Sequence, residues 1–150
     1  MKHYLFQSLI LADDDPDDHE LFKDALLQIA PAINLSIADN GKELLDLLRH
    51  YVPDFIFLDL YMPCKSGLEC LKAIRSDQVL ENVPVIIFSS ATHKPSIEKA
   101  YEMGADLFFI KPNNYRDLLS SMKAILSLDW NEPSFIKEQY FFNGNYAAFA

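Results

Sequence analysis

Short apolar runs alternate along the chain with longer segments in which apolar residues recur every three or four positions. A short apolar run bounded by turn-forming residues is typical of a strand buried on both faces. This pattern predicts strands at residues 9–12, 55–58, 83–88 and 107–110, and a weaker alternation predicts another at 33–38. The clearest run, Phe-Ile-Phe-Leu at 55–58, ends directly at the carboxylate of Asp59.

The segments between these runs predict five helices with one apolar face each. The first extends from Pro16 to about Ile29, with Asp15 as its N-cap and Pro16 at the first helical position. The others follow Gly41 and Gly67 and begin at Pro95 and Tyr115. Strands that alternate with helices indicate an α/β fold, in which right-handed crossovers join the strands of a parallel sheet.

Polar residues follow four of the predicted strands at the carboxyl end. These residues are Asp13 and Asp14, Asp59, Ser89, and Lys111. Each one alone is a common helix cap, turn or loop residue. Because parallel strands end at the same edge of a sheet, however, we expect these side chains to lie together.

Three carboxylates and one ammonium group suit phosphoryl transfer. Neighbouring carboxylates raise one another's pKa, and a divalent cation relieves this repulsion. Oxygen ligands of this kind fit Mg²⁺, which completes its coordination with water and phosphate oxygens. With Mg²⁺ and Lys111 on either side, Asp59 is placed to attack phosphorus and form an acyl phosphate.

Composition excludes several classes of protein. The net charge is -9, and no basic run could neutralise a nucleic-acid backbone, so we expect no nucleic-acid partner. Cys64 and Cys70 lack metal-ligand spacing and are expected to be reduced thiols, which favours the cytoplasm. No signal peptide or long apolar segment is present, so no membrane association is expected.

The order of these motifs resembles the receiver domain of bacterial two-component response regulators. The resemblance covers roughly residues 6–128 and includes Leu-Asp-Leu-Tyr-Met-Pro around Asp59 and the pair Lys111-Pro112. It implies a doubly wound, flavodoxin-like five-stranded sheet with strand order 2-1-3-4-5. It also implies a domain boundary, with a receiver domain at 1–128 and a C-terminal extension at 129–150.

The resemblance assigns a role to each residue of the site. Asp59 is the expected phosphoacceptor, and the expected ligands of Mg²⁺ are Asp13, Asp14, Asp59 and the backbone carbonyl of Tyr61. Three further groups are expected to bind the phosphoryl group: Ser89, Lys111 and the backbone of Ser90.

Two further expectations concern the end of the fifth strand. The Lys111–Pro112 peptide bond is expected to be cis. In this family Ser89 and an aromatic residue at the position of Phe108 move together on phosphorylation. Phe108 lacks the hydroxyl of the common Tyr, so such a switch would depend on packing alone. The alternative is that Phe108 is an ordinary core residue.

Residues 129–150 interrupt the alternation of strands and helices. They include Trp130, Phe135, Tyr146 and Phe149 and carry little charge, which is too aromatic for a solvated linker. Two interpretations stay open, an extension packed on its own domain and a contact with a partner or a second copy. A homodimer could use this extension or the face of the fourth helix, fifth strand and fifth helix.

Some of the polar residues are expected to have only structural roles. Asp15, Asp17 and Asp18 are expected only to cap the first helix, and the four histidines to be surface or loop residues. A haloacid-dehalogenase-type phosphatase is a rival because Asp13 and Asp15 form Asp-x-Asp, but a later acidic pair is missing. A receiver-like interaction module without phosphorylation is a second rival. No glycine-rich phosphate loop supports nucleotide binding.

The sequence therefore predicts a stand-alone phosphorylation switch and not an enzyme in the ordinary sense. The expected donor is a histidine kinase or a histidine phosphotransfer protein, and the cofactor is Mg²⁺. The output is expected to be contact with an unidentified protein target or onward phosphotransfer.

Overall fold

A computed structural model describes residues 6–142 and 145–150. Five parallel strands form one sheet in the order β2-β1-β3-β4-β5. The strands are β1 (Ser8–Ala12), β2 (Asn34–Ala38), β3 (Phe55–Leu58), β4 (Val85–Ser89) and β5 (Leu107–Ile110). The expected doubly wound, flavodoxin-like sheet is confirmed, and its topological switch point lies between β1 and β3.

Helices connect the strands on both faces of the sheet. They are α1 (Pro16–Ile29), α2 (Gly41–Leu48), α3 (Gly67–Arg75), α4 (Lys94–Glu102) and α5 (Tyr115–Leu126). The predicted start of α1 is confirmed, since the Asp15 carboxylate accepts a hydrogen bond from the Asp17 N–H. The predicted limits of β4 were early by two residues at its start and by one at its end, so that Ser89 is the last residue of the strand.

Two apolar layers pack the sheet between its helices. One layer contains buried residues of α2, α3 and α4, and the other contains those of α1 and α5. Because side chains alternate along a strand, Phe108 enters the first layer and its neighbour Phe109 enters the second. Both are fully buried, which fixes β5 against helices on either face.

The C-terminal extension packs on its own domain, which is the first of the two interpretations left open by the sequence. It contains a helix that the pattern did not predict, α6 (Pro133–Gln139), and a two-stranded antiparallel hairpin, β6 (Phe141–Phe142) and β7 (Asn145–Tyr146). Trp130 is buried with its ring edge-on to Phe55, at 4.9 Å between centroids. Further along, Phe149 pairs in parallel with Phe109 of β5.

Across the described residues, 6–142 and 145–150, the helices are all too short or too polar to cross a bilayer.

Candidate functional site

The acidic residues lie at the switch point of the sheet. Asp13 follows β1 directly and Asp59 follows β3, and the backbone holds both positions. The Asp13 N–H donates to the Ala38 carbonyl at 3.0 Å, and the Asp59 N–H donates to the Ala12 carbonyl at 2.9 Å. Since the strands β1 and β3 are neighbours, their two carboxylates are brought to one pocket.

Three carboxylates meet in this pocket as the sequence predicted. One oxygen each from Asp13, Asp14 and Asp59 lies within 4.8 Å of the others. Asp13 is fully buried and Asp59 is 7 % exposed, whereas Asp14 faces solvent. The pocket therefore combines two shielded carboxylates with one at its mouth.

Lys111 supplies the positive charge. Its backbone N–H donates to the Ser89 carbonyl at 2.8 Å, which joins the end of β5 to the end of β4. Its Nζ lies 2.8 Å from Asp13 Oδ2, 2.8 Å from Asp18 Oδ2 and 3.3 Å from Asp59 Oδ2. A single ammonium group is thus shared among three carboxylates.

Burial sets the protonation behaviour of this cluster. It raises the pKa of Asp13 and of Asp59, and the attraction of Lys111 opposes that rise. Burial alone would lower the pKa of Lys111, but the surrounding carboxylates outweigh it and raise that pKa. Lys111 therefore stays charged at neutral pH, while the carboxylates are costly to ionise without a further cation.

The donor set fits a hard divalent cation. Asp13 Oδ2 is buried and has no hydrogen-bond partner among the described residues, although the ammonium of Lys111 is close to it. A buried carboxylate oxygen without a hydrogen bond is free to coordinate a metal ion. Asp13, Asp14 and Asp59 offer carboxylate oxygens, which are the ligands that Mg²⁺ prefers.

The loop after β3 approaches α3 so closely that only glycine fits. A Cβ at Gly67 would lie 2.1 Å from the backbone oxygen of Asp59. The Gly67 N–H donates to the Leu60 carbonyl at 2.8 Å. The N-terminus of α3 thereby fixes the backbone that carries Asp59.

The remaining predicted site residues lie on β5 or at the carboxyl ends of β3 and β4. Ser89 is fully buried at the end of β4, and its Oγ accepts a hydrogen bond from the Ala91 N–H at 3.2 Å. Ser90 is exposed on the following turn, and the Tyr61 side chain is 63 % exposed. Phe108 lies fully buried one strand away, and its N–H donates to the Tyr101 hydroxyl.

The prediction of a cis peptide bond at Lys111–Pro112 was wrong. Peptide bonds are trans throughout the part of the chain that is described, including this one. Trans is the intrinsically favoured isomer before proline, by about 0.5–1 kcal/mol. With the trans bond Lys111 still reaches the carboxylates, so the pocket geometry does not require the cis isomer.

Two residues of the site were interpreted wrongly from the sequence. Asp18 was expected only to favour the start of α1, yet its carboxylate pairs with Lys111. His19 was expected to be an ordinary surface residue, but its side chain is only 12 % exposed. Its Nε2 contacts the backbone carbonyl of Asp13, and its Nδ1 lies 3.8 Å from Asp39 Oδ1. The sequence showed only that Asp18 and His19 follow Asp13 and Asp14 closely, in the first turn of α1.

These observations define a class, a doubly wound α/β domain with an acidic pocket at the switch point of its sheet. The family model of the response regulator receiver domain matches residues 9–123. The chain therefore belongs to the response regulator receiver domain family, as the resemblance implied.

Individual relatives agree with this assignment. The chain is 34% identical over 125 residues to the transcriptional regulatory protein CpxR of Escherichia coli, covering 83% of this chain and 51% of CpxR. It is 29% identical over 120 residues to the polar-differentiation response regulator DivK of Brucella anthropi, covering 80% of this chain and 96% of DivK. The chain thus spans about half the length of relatives such as CpxR but nearly all of DivK.

A solved structure shows the same fold. The phosphorylated cyanobacterial phytochrome response regulator RcpA superposes with a TM-score of 0.75 and 28% sequence identity. The superposition covers 80% of this chain and 91% of RcpA.

Proposed function

We propose that this domain is a signalling switch that accepts a phosphoryl group on Asp59 from a phosphohistidine donor, with Mg²⁺ as cofactor. The observation that carries the proposal is the position of Lys111, whose ammonium lies 3.3 Å from Asp59 in a pocket with two further carboxylates. A lysine and a cation site around one carboxylate favour attack on phosphorus.

The transfer step is a displacement at phosphorus. A carboxylate oxygen of Asp59 forms the new O–P bond while the P–N bond to the donor imidazole breaks, and that nitrogen keeps the electron pair. Lys111 pairs with the phosphoryl oxygens as negative charge develops on them. Asp13, Asp14, Asp59 and the Tyr61 carbonyl would hold Mg²⁺, which would supply charge neutralisation to the phosphoryl oxygens. Ser89 and the Ser90 backbone offer further hydrogen bonds to the product.

The proposed donor is a histidine kinase or a histidine phosphotransfer protein in the cytoplasm, and the output is contact with a target protein or onward phosphotransfer. The same groups would assist hydrolysis of the acyl phosphate. Ser89 and Phe108 are the proposed switch pair. Phe108 has no side-chain hydroxyl and is enclosed by α4, so the switch would act through packing.

One observation disfavours the phosphatase alternative. An Asp-x-Asp mechanism would need Asp15 in the pocket beside Asp13. Asp15 is exposed, and its carboxylate accepts the Asp17 N–H as the cap of α1. Asp15 is therefore committed to the helix and is not available as a general acid.

The proposal is tested by measuring the intact mass of the protein after incubation with acetyl phosphate, with Mg²⁺ or with EDTA. We expect one phosphoryl adduct that requires Mg²⁺ and is absent in Asp59→Asn. Asp17→Asn is the matched control, because Asp17 is an exposed acid of the same region and should leave the adduct intact.

Two outcomes would contradict the proposal. One is the absence of an adduct on folded protein that binds Mg²⁺, which would favour the interaction-module alternative. The other is steady turnover of small phosphate esters without an adduct, which would favour a phosphatase.

A further inference from the structure

The polar groups of Asp13 are held one by one by neighbouring residues. Its N–H donates to the Ala38 carbonyl at 3.0 Å, and its Oδ1 accepts the Asp15 N–H at 3.0 Å. Its carbonyl lies against Nε2 of His19. Oδ2 is buried, has no hydrogen-bond partner among the described residues, and lies 2.8 Å from the ammonium of Lys111. Three polar groups of Asp13 are therefore held in place, and Oδ2 remains for the pocket.

The Asp13 carbonyl lies beyond the end of the strand ladder. The pairing of β1 with β2 ends at Ala12 and Ala38. Asp13 is fully buried, so its carbonyl is shielded from water and costs free energy if it lacks a donor. His19, in the first turn of α1, brings a ring nitrogen to this carbonyl. A side chain of the helix thus supplies the contact at the point where the sheet ends.

The helix also holds His19 in register with Asp13. The His19 N–H donates to the Asp15 carbonyl at 3.1 Å, and the Asp15 N–H donates to Asp13 Oδ1. The contact of His19 Nε2 with the Asp13 carbonyl closes this circuit of three residues. Because each residue is bonded to the other two, a rotation of the Asp13 peptide would break at least one of these bonds.

The ring of His19 makes one strong contact. A carbonyl oxygen can only accept, so the proton in the contact with Asp13 belongs to Nε2. Nδ1 lies 3.8 Å from Asp39 Oδ1, which is longer than a hydrogen bond, and the Asp39 side chain is 66% exposed. The His19 side chain itself is only 12% exposed. The Nε2 donor is therefore the part of His19 on which an effect on the pocket depends.

The orientation of Asp13 decides whether its carboxylate can share an ion with its neighbours. One oxygen each from Asp13, Asp14 and Asp59 lies within 4.8 Å of the others. Hydrogen bonds to a residue that ligates a metal fix its orientation before the ion binds, and their loss weakens metal affinity. Without the bond to its carbonyl, Asp13 would be free to turn its buried carboxylate away from the other two.

We propose that His19 is a positioning residue for the cation site. By donating from Nε2 to the Asp13 carbonyl, it holds the Asp13 carboxylate in the orientation that binds Mg²⁺. His19 acts through Asp13 and is not itself a ligand. This inference rests on the Mg²⁺ site of the proposed function, but it does not depend on phosphoryl transfer to Asp59.

Two uncharged amides of different reach test the role of the donor. In His19→Gln the amide nitrogen has the reach of Nε2, whereas in His19→Asn it has only the reach of Nδ1. Calorimetry gives the dissociation constant for Mg²⁺ without any phosphodonor. We expect this constant to rise about tenfold in His19→Asn and to stay within about threefold of wild type in His19→Gln. His50→Asn is the matched control, because His50 is exposed at the end of α2 and should leave the constant unchanged.

Measurements on the metal-free protein separate positioning from stability. Urea unfolding in EDTA gives the stability of each variant, and a purely structural role would lower it without changing the Mg²⁺ affinity of the folded protein. NMR of the ¹⁵N-labelled wild type should show a proton on His19 Nε2 that is protected from exchange with water. This measurement needs no substitution, so it stands even if His19→Asn does not fold.

Three results would overturn the proposal. The first is an unchanged affinity for Mg²⁺ in His19→Asn. The second is an equal loss in His19→Asn and His19→Gln, which would assign the effect to packing of the ring and not to its donor. The third is a His19 ring that carries no proton on Nε2. A wild type that does not bind Mg²⁺ would overturn the cofactor of the proposed function as well, whereas one that binds Mg²⁺ but is not phosphorylated would leave the role of His19 intact.

Discussion

Lys111 Nζ lies as close to Asp18 as to Asp13, at 2.8 Å in each case. Asp18 belongs to the first turn of α1, and Lys111 follows β5, 93 residues later. Since Asp59 is more distant at 3.3 Å, the ammonium is held towards the α1 side of the pocket. Asp18 thus shares the ammonium of Lys111 with Asp13 and holds it away from Asp59.

Asp18→Asn should weaken binding of Mg²⁺. The substitution removes a negative charge near the pocket and frees Lys111 to pair more closely with Asp59, and both effects weaken the binding of the cation. We expect the dissociation constant for Mg²⁺, measured by calorimetry, to rise about three- to tenfold, which is about 0.7–1.4 kcal/mol.

Asp17→Asn is the control for this measurement. Asp17 is exposed on the same turn, so solvent and salt screen its charge. If Asp18→Asn and Asp17→Asn weakened Mg²⁺ binding equally, overall charge and not the Asp18–Lys111 contact would control the affinity.

The sequence predicted the sheet and the pocket because both depend on local patterns. Each buried strand is an apolar run, and its carboxyl end places one polar residue, such as Asp13 or Asp59, at a shared edge. The partner of Asp18 depends instead on how α1 packs beside the end of β5. An acidic residue in a first helical turn looks the same in sequence whether or not a lysine lies opposite it.

For the C-terminal extension, only the composition of the sequence was informative. Its aromatic content indicated burial, but α6 has seven residues and β6 and β7 have two each, too short to show a period. The pairing of Phe149 with Phe109 is a long-range contact that no local pattern encodes.

Asp59→Asn should stabilise the protein at neutral pH when no divalent cation is present. Burial raises the pKa of Asp59 above its ordinary value, so the folded state binds a proton more readily than the unfolded state. Ionisation therefore disfavours the folded state at pH 7, and this penalty disappears as the pH falls through the folded pKa.

Thermal unfolding in EDTA measures this effect. We expect the unfolding temperature of Asp59→Asn at pH 7 to exceed that of wild type by about 2–4 °C, corresponding to about 1 kcal/mol, with a smaller difference at acidic pH. Asp17→Asn should show no such gain. A lower unfolding temperature for Asp59→Asn at pH 7 would contradict the conclusion that the ionised Asp59 carboxylate destabilises the folded state.

Gly67→Ala should damage the metal site through the backbone of Asp59. The new Cβ would lie 2.1 Å from the Asp59 oxygen, so the loop after β3 must move. We expect a loss of about 1–3 kcal/mol in unfolding free energy and weaker binding of Mg²⁺.

Gly104→Ala separates the loss of stability from the loss of Mg²⁺ affinity. Gly104 has a φ of 109°, so alanine is strained there and the fold should also lose stability. Because Gly104 lies beside Arg75 and away from the pocket, affinity for Mg²⁺ should be retained. Equal loss of affinity in both variants would contradict the role given to Gly67.

Arg75→Ala should strongly destabilise the fold. The guanidinium donates to the carbonyls of Gly104, Glu81 and Val83 and pairs with Asp106 at 2.8 Å. Both charged side chains are less than 20 % exposed, at 19% and 14%. Removing Arg75 leaves the Asp106 carboxylate without its counter-ion and three carbonyls without the guanidinium donor, a cost of about 3 kcal/mol or more.

Urea unfolding compares this variant with Arg49→Ala. Arg49 pairs with Asp46 at 3.8 Å on the surface, where both side chains are largely exposed. That substitution should cost less than about 1 kcal/mol. Similar costs for the two variants would show that the Arg75 network contributes no more than a surface pair.

The most direct test of the central claim locates the phosphoryl group on the chain. An acyl phosphate reacts with hydroxylamine to leave a stable hydroxamate on the carboxyl group that carried the phosphate. Protein treated with acetyl phosphate and Mg²⁺, then with hydroxylamine, is digested and its peptides are sequenced by mass spectrometry. We predict a hydroxamate on Asp59 that is absent when Mg²⁺ is removed. A hydroxamate on Asp13 or Asp14 instead, or phosphate found on a serine or histidine, would contradict the account.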